Sequence, residues 1–361
     1  MKMFFQKLED PVISEFAEKI TPFFSIYDIQ QEDSTIYFFG IPKEDSMDVA
    51  VQSGMFFLEK GYQLDIKYEL GEHVLVVSRF GPVKEKRWIN VVLALATIFT
   101  TMFVGSLLFG VDPVSTPSQV IKGLPFTIAI MAVLGSHEAG HYIIAKKHGM
   151  NTSLPYFIPF PSMIGTMGAV IKHRGPIPSR KALFDVGVSG PLIGLIVSVI
   201  VTIIGLLQPP LAVNGGFQVE LGIPPLFEFI TRFIRTSDSA ALHPIAFAGW
   251  VGMLVTAFNL IPAGQLDGGH ILRAMLGEKA SRVSTLVPFM LISLGFYITY
   301  FKGQDFGYFV VFWGLILSFF AAAGHPAPLN DEIPLGKWRM ALGVMTFFLG
   351  LLCITLVPFK I

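Results

Sequence analysis

The sequence predicts a mainly α-helical, polytopic membrane bundle of about seven spans, with a re-entrant β-like loop and a small soluble α+β domain in front. Three observations carry this. Of the 361 residues 52% are hydrophobic and only 14% charged, too apolar a balance for a soluble chain of this length. The apolar residues gather in runs near 88–110, 124–146, 183–207, 243–262, 284–301, 306–323 and 338–357, each long enough as a helix to cross about 30 Å of hydrocarbon. Residues 1 to about 82 are instead charged and patterned, and end at the basic run Lys84, Lys86, Arg87.

Composition also excludes. Net charge is zero and the 34 Phe lie in apolar runs rather than among basic residues, so no nucleic-acid surface is expected. The lipid bilayer and other membrane proteins are the expected partners. Cys353 is the single cysteine, which rules out an internal disulfide and a cysteine-based zinc site. The opening MKMFFQKLEDPVISEF has early acids and no long apolar core, unlike a secretory or transit leader, and is expected to stay in the cytoplasm.

In the 1–82 domain, residues 11–20 read as a short helix and 23–30 and 35–41 as strands around a polar turn. Residues 46–60 read as an amphipathic helix, and 62–68 and 73–78 alternate around Gly71 as a hairpin. No catalytic constellation occurs there. The remainder, 83–361, reads as the transmembrane domain. With the N-terminus inside, the flanks and loops place Lys84, Lys86, Arg87, Lys146, Lys147, Lys172, Arg174, Arg180, Lys181, Arg273, Lys279, Arg282, Lys337 and Arg339 on the cytoplasmic side. Only Lys122, Arg232, Arg235, Lys302 and Lys360 fall opposite. This positive-inside bias predicts a multi-pass protein of the cell membrane with its N-terminus cytoplasmic.

Two stretches of the membrane region carry chemistry. GSHEAGH, at 135–141, puts His137, Glu138 and His141 near the cytoplasmic end of the second span. On a helix the two histidines, four apart, lie on one face and reach one metal ion, with Glu138 beside the open position; the pattern suits a metal-activated water and its general base. HExxH also arises by chance. Ionisable residues inside an apolar span, however, are costly to insert and functional by default. A catalytic zinc takes three protein ligands, and NLIPAGQLDGGH, at 259–270, offers Asp267 on the same side of the membrane. Alone, an Asp followed by two glycines marks a turn as readily as a ligand; beside an intramembrane HEAGH it is the candidate third ligand, with Gly268 and Gly269 expected to turn the backbone toward the metal.

Between these motifs, 151–171 is apolar yet broken by Pro155, Pro159, Pro161, Gly165 and Gly168. It cannot be a regular spanning helix, and irregular backbone at membrane depth survives only against protein or a watery cavity. It is expected to line the site, with Gly168, Ala169 and Val170 as an edge strand that binds substrate. The small face Gly187, Gly190, Gly194 is expected only to pack against another helix.

HEAGH at 137–141, GTMGAVI at 165–171, SGPLIG at 189–194 and NLIPAGQLDGG at 259–269 together resemble the site-2 protease family of intramembrane zinc metalloproteases. The resemblance covers about residues 88–275. It implies one zinc ion per chain on His137, His141 and Asp267, Glu138 as general base, and Asn259 as a substrate-holding residue. It implies an endopeptidase whose substrates are membrane proteins with a transmembrane helix. No PDZ or CBS domain is recognisable. The alternatives are a metal-binding transporter, for which no inverted repeat is found, and an inactive homologue, against which the intact motif argues. His148, His173 and His270 are expected to be solvated, and Asp185 to pair with Arg180 or Lys181.

Overall fold

The apolar spacing of Ile13, Phe16, Ala17 and Ile20 winds Pro11–Ile20 into helix α1, whose start is capped by the Asp10 carboxylate accepting the Val12 N–H at 2.9 Å. The computed structural model describes residues 10–32, 35–43, 54, 56–57, 60–69, 72–79, 86–174, 177–209, 220–234, 242–303, 306–322, 324, 328, 330–355 and 359–360. The chain divides into two units, Met1–Glu85 with Pro328–Asn330, and Lys86–Ala327 with Asp331–Ile361.

In the first unit, strands β1 (Phe24–Glu32), β2 (Thr35–Pro42), β3 (Tyr62–Glu69) and β4 (Glu72–Arg79) form an antiparallel sheet in the order β1-β2-β4-β3. Period-two alternation turns Phe38, Leu75 and Val77 to one face, where they meet Ile13, Phe16 and Ile20 in a buried core with Phe57. The amphipathic helix expected over 46–60 lies largely outside the described residues.

The second unit is helical. Its helices are α2 (Arg87–Leu108), α3 (Leu124–Lys147), α4 (Arg180–Leu206), α5 (Pro225–Ile234), α6 (Pro244–Asn259), α7 (Asp267–Leu276), α8 (Ala280–Lys302), α9 (Phe306–Ala322) and α10 (Lys337–Leu352). Among the described residues four helical stretches, Arg87–Leu108, Pro117–Lys147, Arg180–Leu206 and Asp267–Lys302, are long and apolar enough to cross a membrane. The runs at 243–262, 306–323 and 338–357 give helices of 16, 17 and 16 residues, short of the roughly twenty that a full span needs. For the first the reason is local: the Asn259–Asp267 connection, with Pro262 and Gly264, ends α6 early.

Helices α3, α4 and α6 surround one apolar core, with Phe126, Ile130, Trp250 and Met253 at its centre. Small residues let them approach closely. A Cβ on Gly205 would lie 2.1 Å from the Ala246 nitrogen, and one on Gly249 at 2.2 Å from the Thr202 hydroxyl.

The proline-broken segment folds as two short antiparallel pairs, β5 (Asn151–Thr152) with β8 (His173–Arg174) and β6 (Tyr156–Pro159) with β7 (Thr166–Val170). It is fastened to α2 at two levels. The Asn90 amide donates to the carbonyls of Leu154 and Pro155, both at 3.0 Å, and the Thr100 hydroxyl to that of Gly165 at 2.7 Å. Gly165 has a φ of 75°, and a side chain there would strike the Thr100 carbonyl at 2.6 Å.

Because the α4–α6 contact is backbone against backbone, Gly205→Val should destabilise the bundle by about 1–3 kcal/mol. Thermal unfolding of the purified protein in detergent checks this; an unchanged midpoint contradicts the close packing.

Candidate metal centre

Helix α3 carries His137, Glu138 and His141, all buried, at 4%, 8% and 6% exposure. One helical turn brings the imidazoles together, and their Nε2 atoms stand 3.1 Å apart. Asp267, the first residue of α7, places its Oδ2 at 3.3 Å from each of those nitrogens. The His141 Nδ1 lies 2.9 Å from the Val186 carbonyl. A carbonyl only accepts, so the ring proton sits on Nδ1 and the Nε2 lone pair faces the centre.

This donor set fits zinc. Bonds of about 2.0–2.1 Å at tetrahedral angles separate ligand atoms by roughly 3.3 Å, close to the spacing found. Two nitrogens and one carboxylate oxygen leave a fourth position open, as a catalytic site requires. Among the described residues, His137, His141 and Asp267 are the group able to hold a metal ion. The outer nitrogen of His141 is held by a backbone carbonyl, the usual second anchor of a metal-binding imidazole.

Helix α4 supplies the room. A Cβ on Gly190 would sit 2.1 Å from the His141 Nε2, and one on Gly194 at 3.0 Å from the His137 ring, while Gly187 faces α7 at the Asp267 carbonyl and His270. The glycine face expected to serve helix packing alone is therefore the space into which the imidazoles fit. Gly268 and Gly269 differ from expectation too. They lie in the first turn of α7, where side chains would collide with the carbonyls of Leu260 at 2.3 Å and Gly264 at 2.2 Å. The chain reverses earlier, through Leu260–Leu266, with Gly264 at a φ of 51°.

Asn259 ends α6, and its Nδ2 stands 3.2 Å from the His137 Nε2, so its amide is at the centre. Strand β7 carries Gly168, Ala169 and Val170, paired on one edge with β6 through Phe157↔Ala169 and Tyr156↔Val170. No second strand covers β7 among the described residues. Directly after it, the Ile171 backbone donates to Glu138. The strand edge and the candidate base are thus joined by one hydrogen bond.

Other assignments change. Asp185 bonds neither Arg180 nor Lys181; it accepts from Arg339 at 2.8 and 2.9 Å and faces His148 at 3.0 Å. His148 is accordingly paired rather than simply solvated, and His270 is half-buried. His173 is exposed, as expected.

The model of peptidase family M50 matches residues 125–298, the stretch that holds His137, Glu138, His141, Asn259 and Asp267. This stretch is similar to peptidase family M50, the site-2 protease family. Its curated relatives include the probable zinc metalloprotease EGY2, chloroplastic, of Arabidopsis thaliana, 31% identical over 249 residues, which are 66% of this chain and 42% of the relative. The probable zinc metalloprotease EGY1, chloroplastic, of the same plant is 32% identical over 254 residues, 66% of this chain and 43% of the relative. The chain thus spans less than half the length of these relatives. Among solved structures it is similar to the site-2 protease from Methanocaldococcus jannaschii, at 18% identity and a TM-score of 0.33, covering 66% of this chain and 92% of that one.

A methyl at position 190 has nowhere to go but the ligand ring. Gly190→Ala should weaken metal binding by about 10- to 100-fold, whereas Gly336→Ala, where an added carbon meets nothing within 4 Å, should leave metal content unchanged. Metal analysis of the two purified variants decides it.

Proposed function

We propose that this chain is an intramembrane zinc endopeptidase that cleaves membrane proteins within or near a transmembrane segment. The observation that carries the reading is the three-ligand centre with one open position, beside a buried carboxylate, on helices long and apolar enough for a membrane. A zinc ion bound there supplies Lewis acidity toward a carbonyl and makes water a far better acid. His137, His141 and Asp267 hold it. Glu138 takes a proton from the attacking water and returns it to the leaving amine. The Asn259 amide donates a hydrogen bond to the substrate carbonyl. The match to peptidase family M50 and relatives named as probable zinc metalloproteases support the reading.

The same proposal extends to placement. The shorter helices α6, α9 and α10 complete a seven-span bundle: α6 is enclosed by its neighbours and need not match the lipid thickness, while α9 and α10 expose apolar side chains suited to lipid. The basic side, which holds the centre, is cytoplasmic in a cell membrane, and the N-terminus is cytoplasmic. Residues 1–82 carry no ligand or base and govern access or substrate choice.

Glu138→Gln tests the chemistry. It should keep zinc and lose about 10²- to 10⁴-fold in cleavage of a co-reconstituted membrane substrate. A variant with full zinc and full turnover removes Glu138 as the base; a wild-type protein that moves zinc across vesicles and cleaves nothing favours the transporter.

A helical substrate hides its carbonyls in hydrogen bonds and must be unwound, and each polar group freed in lipid needs a new partner. Strand addition to β7 supplies them. The Lys172 N–H and carbonyl both go to Ser153, on the β5 side, while the Ile171 N–H goes to Glu138. Backbone groups alternate along a strand, so the Val170 N–H turns toward β6 and the Ala169 N–H toward the open edge. Ala169 is the edge donor, with Gly168 and Val170 shaping its flanks. Ala169→Pro, which loses that donor, should slow cleavage far more than Ala169→Gly, which keeps it, with zinc content equal in both. Equal rates in the two variants rule out strand addition there.

A further inference from the structure

Helix α7 is ten residues long, and Asp267 stands at its first position. A ligand at the tip of so short a helix is only as fixed as the helix itself. Its far end is held by charges. Arg273 is 7% exposed, and its guanidinium donates to both carboxylate oxygens of Asp331, at 3.2 and 2.6 Å. Arg180, the first residue of α4, donates to the last carbonyls of α7, Ala274 at 3.0 Å and Met275 at 3.2 Å. The same side chain reaches the Asp331 carbonyl at 3.3 Å and its carboxylate at 3.6 Å.

We propose that Asp331 is a positioning residue for the metal centre: by clasping Arg273 and Arg180 it fixes the end of α7 against the start of α4 and thereby sets where the Asp267 carboxylate stands. This rests on the metal reading above. Both helices contribute to the centre. α4 provides the Val186 carbonyl that holds His141 and the Gly190 gap beside it, and α7 provides Asp267. From Arg273 to Asp267 is six residues, a lever of about 9 Å at the rise of an α-helix. A shift at the clasp is therefore carried to the ligand with little loss. Asp331 lies beyond the residues that the family model matches, 125–298. The exposed pair Arg232–Glu228 lies within α5, away from α3, α4 and α7, and serves as the internal control.

The test uses the full chain in detergent, loaded with Co²⁺ in place of zinc, whose visible absorption reports ligand number and geometry. Asp331→Asn should alter that absorption and release Co²⁺ to a chelator about 10- to 100-fold faster. Asp331→Glu should restore both in large part, and Glu228→Gln, at the control pair, should leave absorption and release unchanged. Should Asp331→Asn fail to fold because Arg273 is left buried and unpaired, the double variant Arg273→Met, Asp331→Leu removes both charges; it should fold and still release Co²⁺ faster. A folded Asp331→Asn or double variant with wild-type absorption and release overturns the proposal. A wild-type chain that binds no Co²⁺ or Zn²⁺ overturns the metal reading itself, a separate result.

Discussion

Three electron-pair donors face one another across 3.1 to 3.3 Å in a buried setting, and the rest of the structure answers to that constraint. Donors without protons repel and lose water when buried, so a cation bound among them, or a proton on an imidazole, makes the arrangement favourable. It cannot be built from one segment. α3 supplies two donors from one face, α7 the third, and α4 runs between them with glycines wherever a ring or carbonyl must enter. Removing side chains from α4 costs packing area, which the apolar core around Trp250 and Phe126 offsets elsewhere along the same helices.

The proline-rich hairpin meets a different demand. Its backbone needs partners that a membrane does not provide. Asn90 and Thr100 give it fixed attachment on one side, β6 and β7 satisfy each other, and Glu138 accepts from Ile171 at the far edge. The hairpin is therefore supported from α2 while its other border stays open beside the centre. Val170 and Met167 are 45% and 62% exposed, consistent with an uncovered border.

What could be read from the sequence follows from distance along the chain. His137 and His141 are a turn apart, so helical geometry alone joins them. Asp267 was within reach because topology put it on the same side of the membrane and few other carboxylates were available there. Its setting was not legible, since the close approach of Gly268 and Gly269 to the Leu260 and Gly264 carbonyls depends on how the connection folds. Asp185 shows the limit most clearly. Its neighbours Arg180 and Lys181 were the natural candidates, yet its partner Arg339 is 154 residues away, and only the packing of α10 against α4 brings it there. The role of Gly187, Gly190 and Gly194 was missed for a related reason: a row of small residues announces close contact but not what makes it. Segment lengths gave the helices themselves, and four helical stretches among the described residues are long and apolar enough to cross a membrane.

The hydrogen bond from Ile171 to Glu138 ties the register of β7 to the candidate base. Side chains on a strand alternate between faces, so a chain sliding along β7 regains the same facing only after two residues, about 6.8 Å. On the proposed reading, the edge then acts as a ruler with a two-residue graduation. Secondary cuts in a single substrate would fall at even offsets from the principal one, and the fragment ends would carry that parity as a record of how the chain had lain.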